Sequence, residues 1–186
     1  MMRRRDHKLA IAIPVSIVSD IPHLREKTLK IGLIGRAAAI FRINEIIVFP
    51  DNLGANQKRD RNLIVTLLSY VETPQYLRKR LFKIKPELQY AGILPPLRTP
   101  NHPLEKRARK LKIGEYREGA IVSVTESGSL VDIGVERPVL IPDKKLPVNK
   151  RVTIKITKNG KHPRVTLANR QEIETCLLYT SPSPRD

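Results

Sequence analysis

The chain has 186 residues, 40% of them hydrophobic, which is enough to bury the core of one ordinary domain or two small ones and excludes a wholly disordered protein. Lys and Arg number 35 against 18 Asp and Glu, giving a formal charge of +17 and a pI near 10.4. This excess favours a polyanionic partner such as nucleic acid, because basic side chains that neutralise phosphates release condensed counterions; a solvated basic surface is the alternative.

Strand and helix patterns alternate through residues 8–90. We predict buried strands at 8–18, ending at or soon after Pro14, and at 45–49, with helices at 25–41, 56–71 and 75–82. Thr73 is predicted to be the N-cap of the last helix, with Pro74 at its first position. The two longer helices carry apolar stripes, formed by Leu29, Leu33, Ala37, Ile40 and Phe41 in one and by Leu63, Leu67, Leu68 and Val71 in the other. This alternation predicts a parallel sheet with right-handed crossovers.

A stiff basic segment follows. Four prolines between Pro95 and Pro103 exclude a regular helix and favour an extended path. From Tyr76 to Lys112 there are eleven Lys or Arg residues against two Glu, a net +9. We interpret this run as a track for a phosphate backbone, although a charge run is often only a solvated face.

Residues 114–168 change to short strand patterns. Five strands are predicted at 119–124, 129–134, 138–141, 151–156 and 164–167, with a hairpin turn at Asn159-Gly160. This spacing is typical of a small Greek-key barrel of OB type, and residues 114–134 resemble the opening of OB domains in translation proteins. OB barrels bind single-stranded nucleic acid through basic grooves and aromatic rings. Only Tyr116 supplies a ring here, and a barrel that serves as a spacer is the alternative.

The most specific motif is Thr73-Pro-Gln-Tyr-Leu-Arg-Lys-Arg-Leu-Phe82, continued by Gly92-Ile-Leu-Pro-Pro-Leu-Arg-Thr-Pro-Asn-His-Pro103. It resembles the signature of an archaeal and eukaryotic family of RNA methyltransferases in the SPOUT superfamily. The resemblance implies an α/β fold: the N-terminal part of a knotted, Rossmann-like parallel sheet domain with an inserted OB-like barrel. It divides the chain into 1–92 (α/β domain), 93–113 (basic linker), 114–168 (RNA-binding insert), 169–175 (return to the α/β domain) and 176–186 (a tail).

A second resemblance concerns residues 30–48, which are similar to the first SPOUT motif. There an Arg on a helix is placed at the reaction centre, and Arg36 occupies its position, which implies a catalytic role. Lys30 stands where Asn is usual and Arg42 where Gly is usual, so a structural or phosphate-binding role for Arg36 stays open.

The resemblance also implies S-adenosylmethionine as the methyl donor, held by a C-terminal knotted half whose motifs are not found in this sequence. Residues 176–186 resemble a translated sequencing adapter, and a genuine Ser/Pro tail is the alternative. We therefore expect a truncated chain without the cofactor-binding residues. The sole cysteine, Cys176, excludes disulfides, and four scattered histidines predict no metal site.

The function expected is S-adenosylmethionine-dependent RNA methylation, of ribosomal RNA bases, with this chain binding RNA without catalysing transfer. A non-catalytic RNA-binding protein of translation or ribosome assembly is the main alternative, and a scaffold working through protein contacts is the third. We expect no membrane partner, a homodimer at full length, and a cytoplasmic location, nuclear or nucleolar in a eukaryote. The predicted RNA contacts are Arg78, Lys79, Arg80, Arg98, Lys106, Arg107, Arg109, Lys110 and Tyr116.

Overall fold

The computed structural model describes residues 7–52, 54–97 and 103–168, which fall into two compact units. The α/β unit contains residues 7–72 and 84–97, and the β unit contains residues 73–83 and 103–168. The chain therefore leaves the α/β unit after residue 72 and returns to it at residue 84. The tail predicted at 176–186 and the predicted return at 169–175 lie outside the described residues.

The α/β unit is built from a strand–helix–strand–helix series. Its elements are β1 (Ala10–Pro14), α1 (Leu24–Ile40), β2 (Glu45–Phe49) and α2 (Lys58–Glu72), with short 3-10 turns at Val15–Val18, Pro86–Leu88 and Ala91–Ile93. The two strands pair in parallel, with Ala10 opposite Glu45 and Pro14 opposite Phe49. The predicted parallel sheet is thus confirmed. The first strand ends at Pro14, because proline has no N–H for the next ladder hydrogen bond.

Helix α1 packs inward through Thr28, Ile31, Gly32, Gly35 and Ala38. Gly32 and Gly35 are buried: a Cβ on Gly32 would lie 2.8 Å from a side-chain carbon of Pro95, and one on Gly35 would lie 3.3 Å from Leu68. An apolar stripe ordinarily packs inward. Here the predicted stripe is exposed instead, at 45% for Leu29, 53% for Leu33 and 66% for both Ile40 and Phe41. Close approach of the neighbouring segments requires the glycines, so they take the inner face.

The sheet of the α/β unit is covered on one side. Val48 of β2 packs against the cluster that Val18, Ile31 and Leu67 form. The prediction that β2 is a buried strand is wrong for the side of the sheet that faces away from this cluster. There Ile47 is 46% exposed and Phe49 is 38% exposed. Both helices contribute to the covered side, α1 through Ile31 and α2 through Leu67.

The β unit is a curled antiparallel sheet with one helix. Its elements are α3 (Gln75–Leu81), β3 (Tyr116–Thr125), β4 (Gly128–Asp132), β5 (Val139–Pro142), β6 (Arg151–Lys158) and β7 (Arg164–Leu167). The strand order is β5-β4-β3-β6-β7, and β5 also lies against β7, so the sheet curls back on itself. All five predicted strands are confirmed. The hairpin at Asn159-Gly160 is confirmed as well, with Gly160 at φ +119°.

Each strand of the β unit contributes a branched aliphatic side chain to one core. These buried residues are Ile121, Val131, Ile141, Ile154 and Val165, joined by Leu111 from the segment before the sheet. The alternation of these residues with outward polar ones fixes the register, because a slip of one position would reverse every side chain.

The start of α3 differs from the prediction. Pro74 is the N-cap, with φ −53° and ψ 140°, and no side chain caps the helix. Thr73 precedes it and is only 2% exposed. The predicted Thr73 cap is therefore wrong.

Candidate nucleic-acid interface

Positive charge is concentrated in the β unit. Among the described residues it holds 19 Lys and Arg against 7 Asp and Glu, a net +12, whereas the α/β unit holds 10 against 7, a net +3. A polyanion is therefore attracted mainly to the β unit.

Helix α3 is fixed to the sheet of its unit by Tyr76. The Tyr76 ring lies on Gly134, where a Cβ would come within 2.6 Å of the ring, and Gly134 has a φ of +78° that only glycine adopts readily. The Tyr76 hydroxyl donates a hydrogen bond of 2.7 Å to the carbonyl oxygen of Glu118. Burial, followed by the negative charge of Glu118, raises the pKa of this hydroxyl well above its usual value. The hydroxyl is therefore held as a neutral donor.

A second contact reinforces the same junction. One carboxylate oxygen of Asp132 accepts the backbone N–H of Gly134 at 3.0 Å, and the other lies 3.9 Å from Nε of Arg80. The Arg78 guanidinium also turns inward, with Nε donating to the Thr73 carbonyl oxygen at 2.9 Å. Two of the arginines predicted to contact RNA thus make contacts within the β unit.

Two further arginines of the β unit pair with its carboxylates. Arg117 is 1% exposed, and it donates to a Glu115 carboxylate oxygen at 2.9 Å and to the Glu105 carbonyl oxygen at 2.8 Å. The Arg151 guanidinium donates to the Glu118 carboxylate through Nε at 2.7 Å and also through Nη2. Buried charges need such partners, because leaving one unpaired is strongly destabilising.

Most of the other basic residues predicted to contact RNA are exposed. These are Lys79, Lys106, Arg107, Arg109 and Lys110. Arg109 and Lys110 lie in the 3-10 turn Ala108–Lys110, whose Ala108 N–H donates to the Glu136 carboxylate at 2.9 Å. That hydrogen bond lowers the pKa of Glu136. Arg98 lies outside the described residues.

Tyr116, the predicted stacking residue, is half-buried on β3. It pairs across the sheet with Lys155, whose Nζ lies 5.4 Å from the centre of the ring. Lys155 is not among the predicted RNA contacts, although its strand was predicted. The strand register points to Lys155, because it places this residue beside Tyr116, the only aromatic residue in the strands of the sheet.

Arg36 is exposed on α1, one residue after the buried Gly35. It belongs to the α/β unit, whereas the other predicted site residues that are described belong to the β unit. In the described ranges no group of three or more His, Cys, Asp or Glu side chains is placed to hold a metal ion. Among the helices that the structure describes, none is long and apolar enough to cross a bilayer.

Comparison with known proteins decides the family. A family model described as "Putative RNA methyltransferase" matches residues 8–179. The chain belongs to this family.

Three relatives of this chain extend the comparison. An uncharacterized protein of Halobacterium salinarum is 36% identical over 152 residues, covering 80% of this chain and 52% of the relative. Proteins named 28S rRNA (uridine-N(3))-methyltransferase are 33% identical over 190 residues in Mus musculus and 34% over 176 residues in Homo sapiens. These cover 94% and 87% of this chain, and 45% of each relative. The chain spans about half the length of the curated relatives it matches.

Proposed function

We propose that this chain is the RNA-holding part of a methyltransferase that acts on ribosomal RNA bases. The observation that carries the proposal is family membership over nearly the whole chain, together with relatives named as 28S rRNA methyltransferases. The net +12 of the β unit supports RNA as the ligand, because phosphate contacts supply most of the affinity for nucleic acid.

The β unit is proposed to be an OB-type barrel inserted in a SPOUT α/β domain. The strand order β5-β4-β3-β6-β7 and the contact of β5 with β7 support a closed five-stranded Greek-key barrel. The parallel pairing of β1 and β2 supports the α/β assignment. In this proposal the exposed cations between Lys106 and Lys110 contact phosphates and position the RNA.

The named activity of the relatives implies a methyl donor of the S-adenosylmethionine type. The two helical glycines of α1 form no cradle for an adenosine, because a Cβ there would already meet Leu94 and Pro95 at Gly32, and Leu68 at Gly35. We propose that the residues that bind the donor lie beyond the described ranges. We also propose that this chain by itself binds RNA without transferring a methyl group. We propose, in addition, a homodimer at full length and a cytoplasmic location, nuclear or nucleolar in a eukaryote.

Arg36 is proposed to act at the reaction centre. Its exposure leaves the guanidinium accessible to an RNA phosphate or base. Extrusion of the target base from its stack would be needed to bring it to such a residue.

Transfer of labelled methyl groups from S-adenosylmethionine to ribosomal RNA by the full-length protein tests the proposal. We expect transfer by the wild type and a loss of a hundredfold order for Arg36→Ala, within the range of one positioned catalytic group. Arg25→Ala, which removes another exposed arginine of α1, is the matched control and should keep full turnover. RNA binding without any transfer by the wild type would instead favour a non-catalytic protein of ribosome assembly.

A further inference from the structure

The second half of the β unit contains a segment without carboxylates. Residues 144–168 hold eight Lys or Arg and no Asp or Glu. The basic residues are Lys144, Lys145, Lys150, Arg151, Lys155, Lys158, Lys161 and Arg164. This segment lies outside the basic track of residues 76–112. It contains the β6–β7 hairpin and the residues that lead into β6.

The register brings several of these cations to one face. Lys155 lies opposite Tyr116 on one side and opposite Thr166 on the other. Arg164 is two residues from Thr166 and so points to the same side, and Lys158 lies directly opposite Arg164. We call the surface formed by Tyr116, Lys155, Lys158, Arg164 and Thr166 the hairpin face.

Two carboxylates near the hairpin face bind arginines that lie outside it. Glu115 accepts from the buried Arg117, and Glu118 accepts from Arg151. Lys158 and Arg164 are both exposed, and like charges directly opposite each other destabilise a strand pair. A bound phosphate would relieve this repulsion.

The ring gives the face a second binding element. Tyr116 is half-buried, and Lys155 approaches its ring at 5.4 Å. Aromatic side chains beside a basic groove bind unpaired bases, because every base has a face that stacks on a ring. A duplex keeps its bases stacked internally and offers none to the ring.

We propose that the hairpin face binds single-stranded RNA, with phosphates at Lys158 and Arg164 and a base against Tyr116. The proposal rests on the proposed function, since it takes RNA as the ligand. It adds contacts on the β6–β7 hairpin to those of the cations at residues 106–110.

The test measures binding of a fluorescein-labelled oligouridylate by fluorescence anisotropy, at salt concentrations from about 50 to 200 mM. The double variant Lys158→Gln/Arg164→Gln is expected to bind roughly tenfold more weakly, since each screened contact contributes a few-fold in affinity. The slope of log K against log salt should fall by about 1.4, or roughly 0.7 for each lost contact with a single strand.

The matched control is Lys58→Gln/Arg59→Gln, which removes one Lys and one Arg from exposed positions of α2 in the α/β unit. Its net charge equals that of the hairpin variant, so a general effect of charge would weaken both equally. We expect the control to keep the wild-type slope.

Tyr116 is tested by a pair of variants. Tyr116→Ala should weaken binding by about fivefold or more, and Tyr116→Phe should restore it, because stacking needs the ring and not the hydroxyl. Thermal melts verify that each variant is folded. A Tyr116→Ala protein that folds and binds like the wild type would overturn the stacking contact.

The outcomes separate this proposal from the one on which it rests. Equal binding by the hairpin variant and its control overturns the hairpin face. If Lys106→Gln/Arg107→Gln then weakens binding, RNA recognition stands and lies at the other cations. A wild-type chain that binds ribosomal RNA but not the oligouridylate overturns the hairpin face alone, and one that binds neither overturns both proposals.

Discussion

Replacing Gly134 by alanine is the most informative perturbation of the β unit. The substitution adds a Cβ at a φ of +78° and places it 2.6 Å from the nearest carbon of the Tyr76 ring. The ring itself must move, because its ring atoms are what the new Cβ meets. Movement of the ring also breaks the 2.7 Å hydrogen bond from the Tyr76 hydroxyl to the Glu118 carbonyl oxygen.

The expected loss of stability is the sum of backbone strain, a lost hydrogen bond and displaced aromatic packing. The left-handed backbone costs an alanine about 1–2 kcal/mol, and the loss of unfolded-state freedom offsets about 0.4–1 kcal/mol of this. The hydrogen bond adds about 1 kcal/mol, and the displaced aromatic packing adds about 1–2 kcal/mol. Gly134→Ala should therefore lower the free energy of unfolding by about 3 kcal/mol.

Gly114→Ala is the matched control. Gly114 has a φ of +83°, but a Cβ there would meet nothing within 4 Å. This variant carries the backbone strain alone, so it should lose only about 0.5–1 kcal/mol.

Urea unfolding of both variants, followed by circular dichroism, gives the difference. A gap of about 2 kcal/mol isolates the contact between α3 and the sheet. Equal losses for the two variants would mean that the Tyr76 ring adjusts without cost, and the assignment of α3 as a fixed part of the β unit would be refuted.

Three further changes test separate contacts. Tyr76→Phe keeps the ring but leaves the Glu118 carbonyl without its hydroxyl donor, so urea unfolding should show a loss of about 1 kcal/mol; no change would exclude that hydrogen bond. The lowered pKa of Glu136 predicts a contribution to stability that is present above its unfolded pKa and lost as pH falls through its folded pKa. Glu136→Gln should therefore reduce the loss of unfolding free energy at acid pH, measured by urea unfolding at a series of pH values. An unchanged pH profile would contradict this prediction. Gly32→Ala should lower the melting temperature, because its Cβ would lie 2.8 Å from two side chains, whereas Gly35→Ala at 3.3 Å should stay near neutral; the reverse order would contradict the packing of α1.

Local patterns predicted the elements well. The bounds of β2 and β7 match the predicted ranges, and the Asn159-Gly160 turn joins β6 to β7 as its sequence indicated. These features depend on side-chain alternation and on turn residues that act within a few positions of themselves. The excess of basic residues is likewise a property of composition alone.

The candidate site was predictable in part. The cations from Lys106 to Lys110 are exposed, as a charge run leads one to expect. The contacts of Arg78 with Thr73 and of Arg80 with Asp132 were not predictable, because they depend on the folded path of the chain around α3. No local pattern distinguishes an arginine that binds its own chain from one left to bind RNA.

The sequence by itself determined the alternation of elements, the positive charge and the family resemblance of the motif beginning at Thr73. Only the tertiary structure decided which face of α1 packs inward, because the more apolar stripe is exposed and the buried face contains Gly32 and Gly35, which the closeness of neighbouring segments requires. It also decided that the motif helix belongs with the sheet that follows it. That pairing depends on Tyr76 meeting Gly134, residues distant in sequence, and such contacts are fixed by shape once the chain has folded.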